Sequence, residues 1–409
     1  MNVAGDAGEQ AARTIIDRLC GGGHVALLAG GCVRDMLLKR TPKDHDVATD
    51  ALPQRVGELF ARTRQVGAKF GVVIVRVSGQ DVEVATFRTD GVYLDGRHPE
   101  DVTFGTAEQD ALRRDFTING LFYDPNGDRV IDYVGGRADL DAGVLRTIGD
   151  PDRRFGEDHL RMLRAVRLAA RLGFAIDPAT QKAIKRLAPN LTHISAERIW
   201  MELDEMICAP TRAKAWSMLV GLELQAYLSD QWALDDGFAA RIQSRIAALP
   251  DRPVDSALAL AVLRCDRSTN DATSLARALR LSNRVAGELV WLIRSLPAMT
   301  NAGACELADL KLLMANSAWG SLLELFRADL IARKLPLAGF DEVVSRAERI
   351  PAGLIAPPPL LSGNDLAEMG MQPGPRVGSI LEAVYRSQLN EEITNEQQAK
   401  ALAAKLIRS

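Results

Sequence analysis

A chain of 409 residues, 47% hydrophobic and 25% charged, is long enough for two to four domains with real cores. Its net charge of −3 and isoelectric point near 6.1 exclude a protein that coats long nucleic acid with an overall basic field, so any nucleic-acid surface must be local. No run reaches the roughly 18 apolar residues of a membrane span, the start "MNVAGDAGEQ" carries no secretory pattern, and five scattered cysteines without a CxxC pair point to reduced thiols in a cytoplasm and away from structural zinc.

In chain order, short β-rich runs come first: 24–30, 43–49, 71–77, 81–88 and 129–134, with "SGQD" reading as a hairpin turn. Between the first two, 33–38 reads as a short helix entered from Gly30-Gly31. Beyond residue 150 the strand signal fades. Apolar residues then recur at three- and four-residue spacing, with starts at Asp177-Pro178 and Ser195 and stops at Pro189 and Pro210. The stretch 350–365 reads as a linker, and a capping box at Thr394 with Gln397 predicts the start of the last helix. The expected class is α+β: a small mixed-sheet head followed by an all-helical remainder.

Chemistry concentrates in the head. In "LLAGGCVRD" two glycines between strand and helix let backbone N–H groups approach an anion, and Arg34 adds a forked donor. Asp44 and Asp46, two apart on the β-strand predicted over 43–49, project to one face while His45 points away. Two hard oxygen ligands at that spacing suit Mg²⁺. Glu83, off the face of Val82 and Val84 in "DVEVATFR", is a candidate third carboxylate.

The order GGCVRD, DHD, RRDFTING (113–120) and EDHLRMLRAVR (157–167) resembles the class II nucleotidyltransferases, the CCA-adding tRNA nucleotidyltransferases and bacterial poly(A) polymerases. The resemblance covers residues 24 to about 205, and "TFRTDGVYLDGRHPEDVTF" (86–104) looks like the family's flexible loop. It implies a nucleotidyltransferase head (1–148), a helical neck with the nucleotide-selecting helix (149–208), a helical body (209–350) and a tail that contacts tRNA (351–409). It implies that Asp44 and Asp46 hold catalytic Mg²⁺, that Gly31 and Arg34 meet the nucleotide phosphates, and that Arg114 contacts the nucleotide. Asp158, Arg161, Arg164 and Arg167 match the nucleotide-binding helix. Substrates would be CTP, ATP and the tRNA acceptor arm, with no membrane. Gly120 departs from the alanine usual after RRDFTxN, and Leu168 from a common phenylalanine; both should affect packing more than chemistry. No HD-type metal motif stands in the second half.

On a helix Asp158 and Arg161 would share a face. The carboxylate would accept from the exocyclic amino group of cytosine or adenine while the guanidinium donates to the adjacent ring nitrogen. Guanine and uracil present the reverse pattern. Each i+3 step turns about 60° further, so Arg167 falls half a turn from Asp158 and takes a phosphate, primer or structural role. Glu157 is expected to pair locally, for instance with Arg161. The glycine-containing loop at 89–105, with Tyr93, Asp95 and Arg97, is expected to close on the site and help the switch from C to A. "QPGPRVGS" (372–379) is a candidate phosphate nest with Arg376 beside it. The acidic isoelectric point favours a compact tRNA over arbitrary RNA ends. The alternatives are a poly(A) polymerase, a CC-only or A-only enzyme, and a catalytically silent RNA binder.

Overall fold

The computed structural model describes residues 6–65, 71–91, 102–228, 236–300 and 305–408. The chain divides into two compact units, Met1–Met206 with Lys214–Trp232, and Ile207–Ala213 with Ala233–Ser409. The first unit holds the sheet; the described part of the second is helical.

The first unit opens on helix α1 (Ala7–Gly21), capped by Asp6, whose side chain accepts from Glu9 N at 2.8 Å. Its buried Ala11, Ala12, Ile15, Ile16 and Leu19 form one stripe. That stripe packs across β1 (Ala26–Ala29), β2 (Val47–Thr49) and β5 (Gln80–Thr86). With β3 (Thr63–Gln65), β4 (Val72–Val77), β8 (Leu121–Asp124) and β9 (Arg129–Asp132), these strands form a seven-stranded sheet ordered β3-β4-β5-β2-β1-β8-β9. Every pairing is antiparallel except β2 with β5, so the sheet is mixed as expected. All four residues of the central β1 are buried, which is why its sequence "ALLA" shows no alternation. β6 (Arg88–Asp90) and β7 (Val102–Phe104) form a separate ribbon at the two ends of the glycine-containing loop. Residues 92–101, with Tyr93, Asp95, Gly96 and Arg97, lie outside the described residues.

The helix predicted at 33–38 runs as α2 (Gly31–Leu37). The first unit also holds helices α3 (Pro53–Leu59), α4 (Ala107–Leu112), α5 (Gly136–Ala142), α6 (Pro151–Glu157), α7 (Arg161–Leu172), α8 (Pro178–Leu187) and α9 (Ala196–Ile207), with a short parallel pair, β10 (Val144–Leu145) and β11 (Ala175–Ile176), among them. Asp177 caps α8 by accepting from Ala179 N and Thr180 N, both at 3.1 Å. The continuous helix expected over 157–174 is interrupted, a point with consequences for the site.

In the second unit, helices Asp236–Ala248, Ser256–Arg264, Asn283–Met299 and Trp319–Ala332 pack together around Leu260, Leu289, Leu322 and Leu325. Arg245, wholly buried, lies 2.6 Å from Asp266 and 2.7 Å from Asp329. Cys265, Asp266 and Asp329 place ligand atoms within 4.8 Å of one another, but the Arg245 and Arg333 guanidiniums already pair with both carboxylates. Arg212 donates to the carbonyls of Ile207, Cys208, Pro250 and Arg252, fastening 207–213 to the turn at 250–254. Leu361, Leu366, Ile380, Val384, Ala399 and Ala403 form a separate core near the C-terminus, so the segment predicted as a linker contributes a buried leucine. The last helix is Glu396–Arg408, two residues later than the Thr394 box predicts. Asn395 accepts from Gln398 N there at 3.0 Å, and the Gln398 side chain reaches back to Thr394 N at 2.7 Å. Arg376, beside the expected phosphate nest, donates to the carbonyls of Leu406 and Ile407 at the end of that helix.

Candidate active site

A cleft of about 750 Å³ opens over β1, β2 and β5 and is lined by Gly31, Arg34, Asp44, Asp46, Glu83, Arg114, Asp158, Arg161, Arg164 and Arg167, all expected from the sequence to take part in catalysis or nucleotide binding. The two aspartates precede β2 rather than lying on it. The segment is extended enough to alternate: Asp44 and Asp46 are open to the cleft while His45 is buried. Glu83 reaches the cleft from β5, whose Val82 and Val84 face the core.

None of the three carboxylates forms an ion pair with a described residue. Asp46 has solvent on its cleft side but protein around it. That burial, with Glu83 and to a lesser extent Asp44 adding and Arg114 opposing, pushes its carboxyl up to about 6. Hard oxygen donors that repel one another and have no ion-pair partner among the described residues fit a divalent cation. Cys32, in the middle of "GGCVRD", is a packing thiol: burial pushes it up to about 11.

The turn into α2 places Gly30 at φ 74°, and a Cβ there would meet Arg114 Nη1 at 2.7 Å, so both backbone conformation and space require glycine. Arg34 is buried. Its Nε donates to Asp35 at 2.8 Å and its Nη1 to Asn119 Oδ1 at 2.6 Å. Arg114 donates to Asp110 at 2.9 and 3.1 Å and lies 5.0 Å over the Phe122 ring. Its orientation is therefore fixed before any ligand arrives.

The segment expected to select the nucleotide departs from the predicted geometry. Asp158 and Arg161 are not neighbours on one helical face. Asp158 ends α6 in an extended conformation (φ −149°, ψ 106°), and α7 starts only at Arg161. The Asp158 carboxylate bonds Leu160 N at 3.1 Å, a local side-chain-to-backbone contact that competes with helix continuation. It is also held by Arg198 Nη2 at 3.0 and 3.1 Å. Arg161 Nη1 donates to Glu157 at 2.7 Å and to the Arg154 carbonyl at 2.9 Å, the local pairing expected of Glu157. Both side chains still line the cleft. Arg167 donates to Glu202 and Glu205, each at 2.6 Å, which gives it a structural anchorage on α9.

Sequence reasoning overlooked three residues. Asp115 accepts from Arg164 at 2.8 and 3.1 Å and from Asn119 at 3.0 Å. Burial alone would raise its carboxyl, but Arg164 and Asn119 hold it down to about 2, and Asp115 in turn raises Arg164. Through Asn119 this carboxylate reaches Arg34, so one hydrogen-bonded chain joins Arg34 to Arg164. Asp115 and Asn119 stood in the quoted RRDFTING run, whose arginine drew attention. Arg198 gave no local signal. Gly120 has a packing cause: a Cβ there would meet Val134 Cγ2 at 2.6 Å, so Val134 fills the space an alanine methyl would need.

A mixed sheet carrying three converging carboxylates and an arginine-lined cleft defines a nucleotidyltransferase, and residues 26–146 match the Poly A polymerase head domain family. Residues 173–233 match the family described as the probable RNA and SrmB-binding site of polymerase A. The chain is 36% identical over 397 residues to the CCA-adding enzyme of Geobacillus stearothermophilus, covering 95% of each. It is 32% identical over 411 residues to that of Lactiplantibacillus plantarum, covering 97% of this chain and 96% of the other. The crystal structure of the Bacillus stearothermophilus CCA-adding enzyme in complex with CTP superposes with a TM-score of 0.79 at 32% identity, covering 98% of both chains. The chain belongs to the CCA-adding enzymes.

Proposed function

We propose that in this CCA-adding enzyme Asp44, Asp46 and Glu83 hold the divalent cation the nucleotidyltransferase reaction uses, as Mg²⁺, and that the tRNA acceptor arm presents its 3′-hydroxyl beside them. The hydroxyl oxygen attacks the α-phosphorus of CTP or ATP, the bond to the bridging oxygen breaks, and pyrophosphate leaves. Bound at the carboxylates, Mg²⁺ would favour the ionised hydroxyl and neutralise charge on the phosphates. Gly31 and Arg34 receive the triphosphate, with Arg34 aligned by Asp35 and Asn119. Arg114, fixed by Asp110, adds positive charge over the same region.

Asp158 and Arg161 read the base. The carboxylate accepts from the amino group of cytosine or adenine, and the Arg161 donors left over from Glu157 address the ring nitrogen. Guanine and uracil would set acceptor against acceptor and donor against donor, at roughly 1–3 kcal/mol per unsatisfied group. Arg198 orients Asp158, Arg164 is held by Asp115, and Arg167 supports α7 against α9. We divide the chain into head (1–148), neck (149–208), body (209–350) and a tRNA-contacting tail (351–409). Among the described residues no helix is long and apolar enough to cross a membrane, and cysteines unpaired throughout suit a cytoplasmic enzyme.

The carrying observation is the convergence of three unpaired carboxylates in the cleft that also holds Asp158 and Arg161. Incubating tRNA that lacks its 3′ end with labelled CTP, ATP, GTP and UTP tests it. Addition of two C and one A followed by arrest is the expected result; long A tails would mark a poly(A) polymerase. Undiminished extension by the Asp44→Ala, Asp46→Ala double variant would end the assignment of the carboxylates.

A further inference from the structure

The residue between the two metal-binding aspartates has no part in the chemistry above, yet its side chain is only 3% exposed. His45 turns away from the cleft and under the first turn of α1. Its Nδ1 lies 3.9 Å from Asp6 Oδ1 and only 3.1 Å from where a Cβ on Gly8 would stand. Its Nε2 is buried without a hydrogen-bond partner, so packing rather than hydrogen bonding holds the ring.

The neighbouring backbone shows why that matters. Asp46 is fixed from both sides: its carbonyl accepts from Ala29 N at 3.0 Å, and β2 begins at the next residue. Residues 41–45 make no backbone–backbone hydrogen bond to a described residue. Asp44 therefore has no ladder to locate it. Its nearest fixed point along the chain, apart from Asp46, is the His45 ring seated against α1.

We propose that His45 is a positioning residue: wedged beneath the capped start of α1, it sets where Asp44 stands relative to Asp46 and so completes the cation site from behind the sheet. Gly8 is part of the same seat, because any larger residue would press on the ring. The inference rests on Asp44 and Asp46 being cation ligands.

The test is Mn²⁺ binding, followed by electron paramagnetic resonance of the full chain with CTP and without tRNA. His45→Ala should weaken Mn²⁺ binding about tenfold, the scale seen when residues supporting metal ligands are removed. Activity lost at low metal should return at high metal, and discrimination of CTP from UTP should be unchanged, since Asp158 and Arg161 are untouched. Gly8→Ala separates positioning from stability. Alanine's helix preference should offset the crowding of the added methyl, 3.1 Å from Nδ1 and 3.2 Å from the capping Asp6 Oδ1, so the melting temperature should stay near wild type while Mn²⁺ binding weakens two- to threefold. Wild-type Mn²⁺ binding in both variants, or weakening in proportion to lost folded protein, overturns the proposal. Asp44→Asn with Asp46→Asn is the control. If it still binds Mn²⁺ normally, the ligand assignment itself fails; if it loses Mn²⁺ while His45→Ala and Gly8→Ala do not, the positioning role alone fails.

Discussion

Replacing Asp115 by asparagine should cost stability and slow the use of CTP together. Asp115 is 9% exposed and accepts from Phe116 N at 2.8 Å, from Asn119 at 3.0 Å, and twice from Arg164 at 2.8 and 3.1 Å. Against burial, Arg164 and Asn119 bring its carboxyl from the ordinary 3.8 to about 2, a difference equivalent to about 2 kcal/mol. Because the folded value lies below the unfolded one, this contribution is fully present above pH 4 and disappears as pH falls through about 2. Asp115→Asn keeps the shape but leaves the Arg164 guanidinium without its main counter-charge, so we expect a loss of about 2–3 kcal/mol at pH 7. In urea titrations followed by circular dichroism the gap to wild type should hold at pH 5 and narrow at pH 4 and further at pH 3. The same variant should lower kcat/KM for CTP, since the chain from Arg34 through Asn119 to Arg164 is cut. Equal urea midpoints at pH 7, or a gap that does not narrow with acid, would refute the reasoning.

Asp46 has the opposite sign. Its folded carboxyl, near 6, lies above the unfolded value, so ionising it costs stability as pH rises through 6. The shift would amount to about 3 kcal/mol in a closed site, and to about 1 kcal/mol in this solvent-open cleft. In EDTA at pH 7, Asp46→Asn should therefore be slightly more stable than wild type by thermal denaturation, the difference vanishing near pH 4. With saturating Mg²⁺ and CTP the order should reverse, because only wild type gains the binding energy. Gly120→Ala should cost about 1–3 kcal/mol through its clash with Val134, measured by urea denaturation. Val134→Ala in the same chain should recover most of that loss.

The alternating runs at 71–77 and 81–88 were readable as strands because one face of each is buried. β8 was not: "LFYD" follows the RRDFTING run directly and is too short to show a period, although it pairs with the central strand. In the site, alternation about His45 was legible because it needs only an extended backbone. The break between α6 and α7 was not, because apolar spacing continues smoothly through Leu160, Leu163 and Val166. What stops the helix is the Asp158 side chain taking Leu160 N, with Arg198 holding it from forty residues away. Asp115 escaped notice for a related reason: a buried carboxylate is recognised by its partners, and Arg164 lies 49 residues on.

The chain passes into the second unit at Ile207, returns at Lys214, and leaves again after Trp232. The returning stretch brings back Trp216, Leu219 and Leu224, all with at most 1% exposure. A gene cut after Met206 would thus deny the catalytic half part of its own interior, and one restarted at Lys214 would strip the other half of the Arg212 fastening. Each unit is thus assembled from two separate stretches of sequence, so no single crossover in the gene can exchange one whole unit for a foreign counterpart.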